Sequence, residues 1–152
     1  MKYLIFSLGF AFFHILAYTI AGAIALNFSK DIYEEQNRLV DFLRDMSDEV
    51  NKNYVAKWFL PAQILRGLLM SIVLYPIVGL LGDLNFLLRF LFLAGLMLVF
   101  TDMASASPFT HNIEGFVYLK PKYLRKKAVV KLYLEMIIYS VIFGLLVSWL
   151  LF

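Results

Sequence analysis

Four stretches of this chain are each long and apolar enough to cross a bilayer, and that feature removes most soluble folds from consideration. A helix needs about 20 mostly apolar residues to cover the hydrocarbon core. Residues 3–26, 58–81, 86–104 and 129–152 each supply such a run. Lipid offers no partner for exposed backbone groups, so each stretch is expected to be helical. Apolar residues make up 62% of the 152, against roughly 45–50% in soluble domains. The expectation is an all-α integral membrane protein, a single domain over 1–152. It has four antiparallel transmembrane helices and a cytoplasmic amphipathic helix between spans 1 and 2. Pro61 falls in the first turn of the second span, where proline is tolerated. Pro76 falls inside it and is expected to kink it.

Four spans place loops 27–57 and 105–128 on one side. The first carries Lys30, Arg38, Arg44, Lys52 and Lys57, the second Lys120, Lys122, Arg125, Lys126 and Lys127. The other side has Lys2 and the turn Gly82-Asp83-Leu84-Asn85, with Arg89 just inside the third span. The positive-inside rule then puts both long loops in the cytoplasm and both termini outside. Tyr3, Trp58 and Trp149 stand near span ends, as interface anchors do. The first stretch also has signal-peptide features, with Lys2 ahead of it and Ala23-Ile24-Ala25 resembling a cleavage site. Its apolar run exceeds a usual signal core, so retention as a membrane helix is expected. The chain has no cysteine, which excludes disulfides, a thiol nucleophile and cysteine-ligated metal. The net charge of +3 is modest and gathered beside membrane segments. That points to the bilayer, with anionic headgroups near residues 120–127, rather than to nucleic acid.

The first loop reads as a helix. Ile32, Leu39, Leu43, Met46 and Val50, with Gln36 filling the seam, alternate spacings of four and three. Ser29 suits an N-cap, with Asp31, Glu34 and Glu35 in the opening turns. Glu34 with Arg38, and Arg44 with Asp48, stand at i,i+4. Seven acidic residues against five basic ones over 30–57 make a poor match for anionic lipid. The stripe is therefore expected to pack against protein: its own bundle, a second copy or a membrane partner.

Charge inside a span is costly, by at least about 2.5–3.5 kcal/mol at its centre. Arg66, Asp102 and Glu135 all fall toward the cytoplasmic half, and His111 and Glu114 lie on the loop joining spans three and four. These five form the candidate polar or ligand cluster. Arg66 is expected within salt-bridge reach of Asp102 or Glu114, since its fork suits a carboxylate. Glu135 has Lys131 one turn earlier as an alternative partner. His14, midway along the first span, is expected to bond a neighbouring helix. Ala17, Ala21 and Ala25 form a small-residue face for close helix contact.

In "SASPFTHNIEGF", Pro108 is expected to end the third span. Thr110 is read as the cap of a short helix with His111 and Glu114 on one face. That pair supplies two metal ligands where a site takes roughly three or four, so no metal and no cofactor is expected. Gln63, Arg66, Gly67 and Pro76, followed by His111 and Glu114, resemble the pattern of a group of uncharacterised multi-pass membrane proteins, which implies a shared role for Arg66, His111 and Glu114. In size and span count the chain is also similar to the membrane-associated glutathione and eicosanoid enzymes. Their second-span Arg/Asn/Glu signature is missing here, because Arg66 has no such partners. No nucleophile–base pair or phosphate loop is visible. The leading expectation is a non-enzymatic interaction or accessory subunit of a membrane assembly. The alternative is a small membrane enzyme or an ion, proton or anionic-ligand site on the five-residue cluster.

Overall fold

The computed structural model describes residues 1–34 and 38–152, and among them it is helical with no strand. The elements are α1 (Lys2–Ala25), α2 (Lys30–Tyr33), α3 (Glu49–Val73), α4 (Val78–Asp83), α5 (Phe86–Gly95), α6 (Ile113–Tyr118) and α7 (Lys126–Leu150). A 3-10 turn, Tyr75–Ile77, joins α3 to α4, and α5 runs on into a π-helical stretch, Leu96–Met103. Helices α1, Phe86–Met103 and α7 are long and apolar enough to cross a membrane. So is α3 taken together with Tyr75–Asp83, bent by 49° between them. The bend falls at Pro76, which has no N–H and whose ring crowds the carbonyl four residues earlier. Around it the backbone tightens, with Leu74 N–H on Ser71 O and Ile77 N–H on Leu74 O.

Pro61 is not in a first turn. α3 begins at Glu49, capped by Asp48, whose carboxylate accepts the Asn51 N–H. The helix therefore starts well before the apolar run does, and Pro61 lies in its interior.

The amphipathic helix expected over 30–50 does not form as one element. α2 stops at Tyr33, residues 38–48 are turns and extended chain, and Val50 belongs to α3. Gln36 and Glu35 lie outside the described residues. Two causes are visible. Ile32 and Val40 are fully buried against Ala128 and Leu132 of α7, with Leu39 and Leu43 packed beside them. Short polar side chains also bond the local backbone in place of a helix ladder. Asp45 accepts from the Ser47 N–H and hydroxyl, and Arg38 donates to Leu43 O. Arg38 pairs with Asp45 at 2.7 Å rather than with Glu34. Arg44 donates to Asn51 and stands over the Tyr54 ring rather than bonding Asp48.

α1 packs against both α3 and α7, and α7 also packs against α5, whereas α3 and α5 share no comparable interface. Small residues allow the close approaches. A Cβ on Gly67 would lie 2.7 Å from Ala11 Cα, and one on Gly144 would lie 2.9 Å from Ala94 Cβ. Ala17, Ala21 and Ala25 are buried. Phe6, Phe10, Leu93, Met97, Tyr139 and Phe143 fill the core between α1, α5 and α7. Outward, Leu8, Phe12, Leu65, Leu69, Leu91 and Val141 are exposed.

Arg89, at the α4–α5 corner, is 8% exposed. Its guanidinium donates to the carbonyls of Leu81, Gly82, Leu84 and Ser148 at 2.6–3.1 Å. These carbonyls lie at the C-terminal ends of α4 and α7, where the partial negative charge of a helix collects.

Candidate functional site

Arg66, Asp102, His111 and Glu135 line one cleft of about 340 Å³ at the end of the bundle where α1 and the π stretch finish and α7 begins. Tyr18 of α1 and Tyr33 of α2 complete its polar wall. Glu114 is not part of it. It sits half-buried on α6, outside the cleft lining.

The difference comes from the turn before α6. Its cap is Asn112, not Thr110: the Asn112 side-chain oxygen accepts the N–H groups of Gly115 and Phe109, and its amide donates to Ser107 O at 2.6 Å. The helix thus begins at Ile113, so His111 precedes it and shares no helical face with Glu114. Gly115 closes the turn by proximity. A Cβ there would fall 1.6 Å from Phe109 O, which no side chain permits. Pro108 likewise stands five residues beyond the end of the π stretch at Met103 and does not terminate it.

His111 is 3% exposed. Both Asp102 oxygens lie within reach of its Nε2, at 2.8 and 2.9 Å. Phe109 and Tyr133 meet the ring edge-on. Nδ1 is buried without a hydrogen-bond partner among the described residues. Asp102 reaches this position from the π stretch, in which Ala104 N–H bonds Val99 O five residues back. Such wider turns recur at functional sites. A carboxylate on Nε2 fixes that proton and leaves Nδ1 as an acceptor, the arrangement of an oriented acid–base histidine.

Arg66 does not meet its expected partner. It makes no ion pair within 4 Å among the described residues, with Asp102, Glu114 or any other carboxylate, and its guanidinium carbon stands 5.9 Å from the Tyr18 ring centre. Glu135 does not take Lys131 either. Lys131 and Lys127 both pair with Asp31 at 2.5 Å, and Glu135 Oε2 accepts from the Tyr33 hydroxyl at 2.8 Å. Burial first, and then Glu135 beside it, push the Tyr33 hydroxyl far above its ordinary range, so it remains the donor.

His14 is held by two helices. Its Nε2 lies 3.0 Å from Gln63 Oε1 and its Nδ1 2.7 Å from the Tyr139 hydroxyl. The consistent assignment has Nε2–H donating to Gln63 and Tyr139 donating to Nδ1. Gln63 and Gly67 therefore join α3 to α1 on either side of Arg66 and fix the turn that presents it. Tyr33 and Tyr139 carry no sequence signal of these roles: Tyr33 falls in the loop after the first span, and Tyr139 lies midway along α7, where a tyrosine reads first as core packing. Among the described residues no group of three or more His, Asp or Glu is placed to hold a metal ion.

A second cavity of about 490 Å³ adjoins the cleft. Tyr18, Tyr33 and Glu135 belong to both; Gly22, Leu26, Met46, Val55 and Phe59 give the second a mainly apolar wall, and Glu34 and Lys52 also line it. No protein-family model, curated protein or solved structure matches the chain.

Proposed function

We propose that this chain is a multi-pass membrane protein that binds a ligand through an anionic group seated on Arg66. The observation that carries the reading is Arg66 itself. It is a guanidinium with no ion pair among the described residues, placed on a cleft shared with Asp102, His111 and Glu135. An arginine kept at membrane depth has a partner as a rule, and among the described residues no carboxylate pairs with this one. The antiparallel four-span arrangement, with loops 27–57 and 105–128 cytoplasmic and both termini outside, has the support of the Lys/Arg bias. In that frame the cleft opens at the cytoplasmic headgroup level. The interaction-subunit reading relied on the 32–50 stripe. Of that stripe, Ile32 is buried within the chain with Leu39 and Leu43 packed beside it, Met46 lines the second cavity, and Val50 remains exposed.

The test is thermal melting of detergent-purified protein with inorganic phosphate against chloride at equal ionic strength. A ligand that binds only the folded state raises the melting temperature. Phosphate should raise it in the wild type and in Arg66→Lys, and not in Arg66→Gln. Equal response in wild type and Arg66→Gln removes the reading.

The free Nδ1 of His111 favours a second reading, acid–base catalysis on the bound ligand. Turnover of a phosphate-bearing probe, followed by mass spectrometry and abolished in His111→Gln, supports it. A probe recovered unchanged from the wild type argues against it.

A further inference from the structure

The charge inventory of the cleft is unbalanced for a simple anion. It holds one guanidinium and two carboxylates, Asp102 and Glu135. Asp102 spends both oxygens on His111. Glu135 spends only Oε2, on Tyr33, and Oε1 accepts nothing among the described residues. A ligand that carried negative charge alone would satisfy Arg66 while crowding a half-used carboxylate. A ligand with both signs satisfies both. Glu135 also stands on the shared wall between the polar cleft and the apolar cavity. That second cavity, mainly apolar but with Glu34 and Lys52 also on its lining, lies in the size range of pockets for small organic ligands, about 300–1,000 Å³. Gly22 contributes no side chain to it, and α3 and α5 share no extensive interface that would close the bundle on the Arg66 side.

We propose that the ligand is a zwitterionic acyl lipid, with its phosphate on Arg66, its primary ammonium on Glu135 and an acyl chain in the cavity lined by Gly22, Leu26, Val55 and Phe59. This rests on the anion-site reading and adds the rest of the molecule. The guanidinium meets phosphate oxygens with its planar fork. The ammonium donates to Glu135 Oε1, which a quaternary amine cannot do for want of N–H. Tyr33 holds the other oxygen and so keeps the carboxylate turned toward the shared wall. The apolar cavity then supplies affinity through buried chain, and the two charges select the head.

The experiment uses the full chain in detergent and probes of equal acyl length. These are lysophosphatidylethanolamine, lysophosphatidylcholine, lysophosphatidic acid and monoacylglycerol, with chain-free glycerophosphoethanolamine alongside. Half-saturating concentration is read from the melting shift. The ethanolamine lysolipid should bind about tenfold tighter than the other two phospholipids, one ammonium-to-carboxylate contact being of that order. Monoacylglycerol and glycerophosphoethanolamine should trail both. Glu135→Gln should level the three phospholipids without losing them, and Arg66→Gln should lose all three. Val55→Trp, which fills the apolar cavity, should weaken every acyl probe and leave the response to inorganic phosphate intact. The wild-type ranking needs no variant, so a misfolded Glu135→Gln does not protect the idea. If inorganic phosphate acts through Arg66 but the three phospholipids rank equally, the zwitterion falls and the anion site stands. If glycerophosphoethanolamine matches its lysolipid, the acyl assignment falls. If no phosphate-bearing probe depends on Arg66, both readings fall together.

Discussion

Arg89 and Arg66 are two arginines on apolar helices, and the protein treats them in opposite ways. At the Arg89 end four carbonyls from two helix termini and the following turn surround the guanidinium, and Phe152 covers it at 4.9 Å from the ring centre. At the Arg66 end there is an aromatic ring, an open cleft and, among the described residues, no ion pair. One cation closes a corner of the fold. The other stands beside Tyr18 on a turn of α3 that Gln63 and Gly67 fix against α1. An arginine on an apolar helix is therefore a poor guide to function by itself, and the number of its donors already used is a better one.

The comparison breaks most visibly at Arg89. Arg89→Met orphans four carbonyls in an apolar setting, so it should cost roughly 3–5 kcal/mol, read as a fall in melting temperature or in expression of folded protein. A loss under about 1 kcal/mol would mean that water replaces the guanidinium and that the contrast is false. Gly115→Ala comes next. Its Cβ must displace Phe109 O, at about 1–3 kcal/mol. Because the strain falls on the turn holding His111, the Arg66-dependent phosphate response should weaken more than stability does.

Asp31→Asn should cost less, about 0.5–1 kcal/mol, since Lys127 is 65% exposed and the pair is screened. Burial opposes the charge on Asp31, and the hydrogen bonds from Lys127 and Lys131 overcome it, holding its carboxyl below the ordinary range. Unfolding releases it to that range, so the unfolded chain binds the proton more readily. The stabilisation is complete above the ordinary carboxylate pKa and fades as pH falls through it toward the lowered folded value. The melting difference between wild type and Asp31→Asn should accordingly shrink on acidification below about pH 4. Arg66→Met should have the smallest effect on stability, within about 1 kcal/mol in either direction, because no ion pair among the described residues is lost. A cost equal to that of Arg89→Met would show that Arg66 has a structural partner and would end its candidacy as a ligand anchor.

Much of the scaffold could be read from residue order. Apolar runs mark membrane-length helices because lipid admits little else, and Pro76 marks the bend because it removes a donor. Arg66, Asp102 and Glu135 stood out because charge in such runs is expensive, and His111 joined them from the loop between the third and fourth spans. What the sequence hid depended on which groups complete a local turn. Glu114 was grouped with His111 on helical spacing, and the Asn112 cap separates them by starting the helix two residues later than a Thr110 cap would. The stripe from Ile32 to Val50 has good helical periodicity, but Ile32 and Val40 gain more from α7 than from a helix of their own. The corner made by Arg89 was hidden for another reason: its acceptors are backbone carbonyls, which every residue has.

The π-helical stretch Leu96–Met103 also bears on how this site evolves. Each such turn accommodates one residue more than an α turn, and an α-helix advances about 100° per residue. One surplus residue is thus the difference between Asp102 facing His111 and Asp102 facing away from it. A single codon gained or lost between Met97 and Thr101 would switch the pairing while leaving a helix long enough to cross the bilayer. Homologous chains of nearly equal length and hydropathy can therefore differ in whether the dyad exists at all. In an alignment that difference would show as a one-residue gap in the third apolar run, rather than as a change in any charged residue.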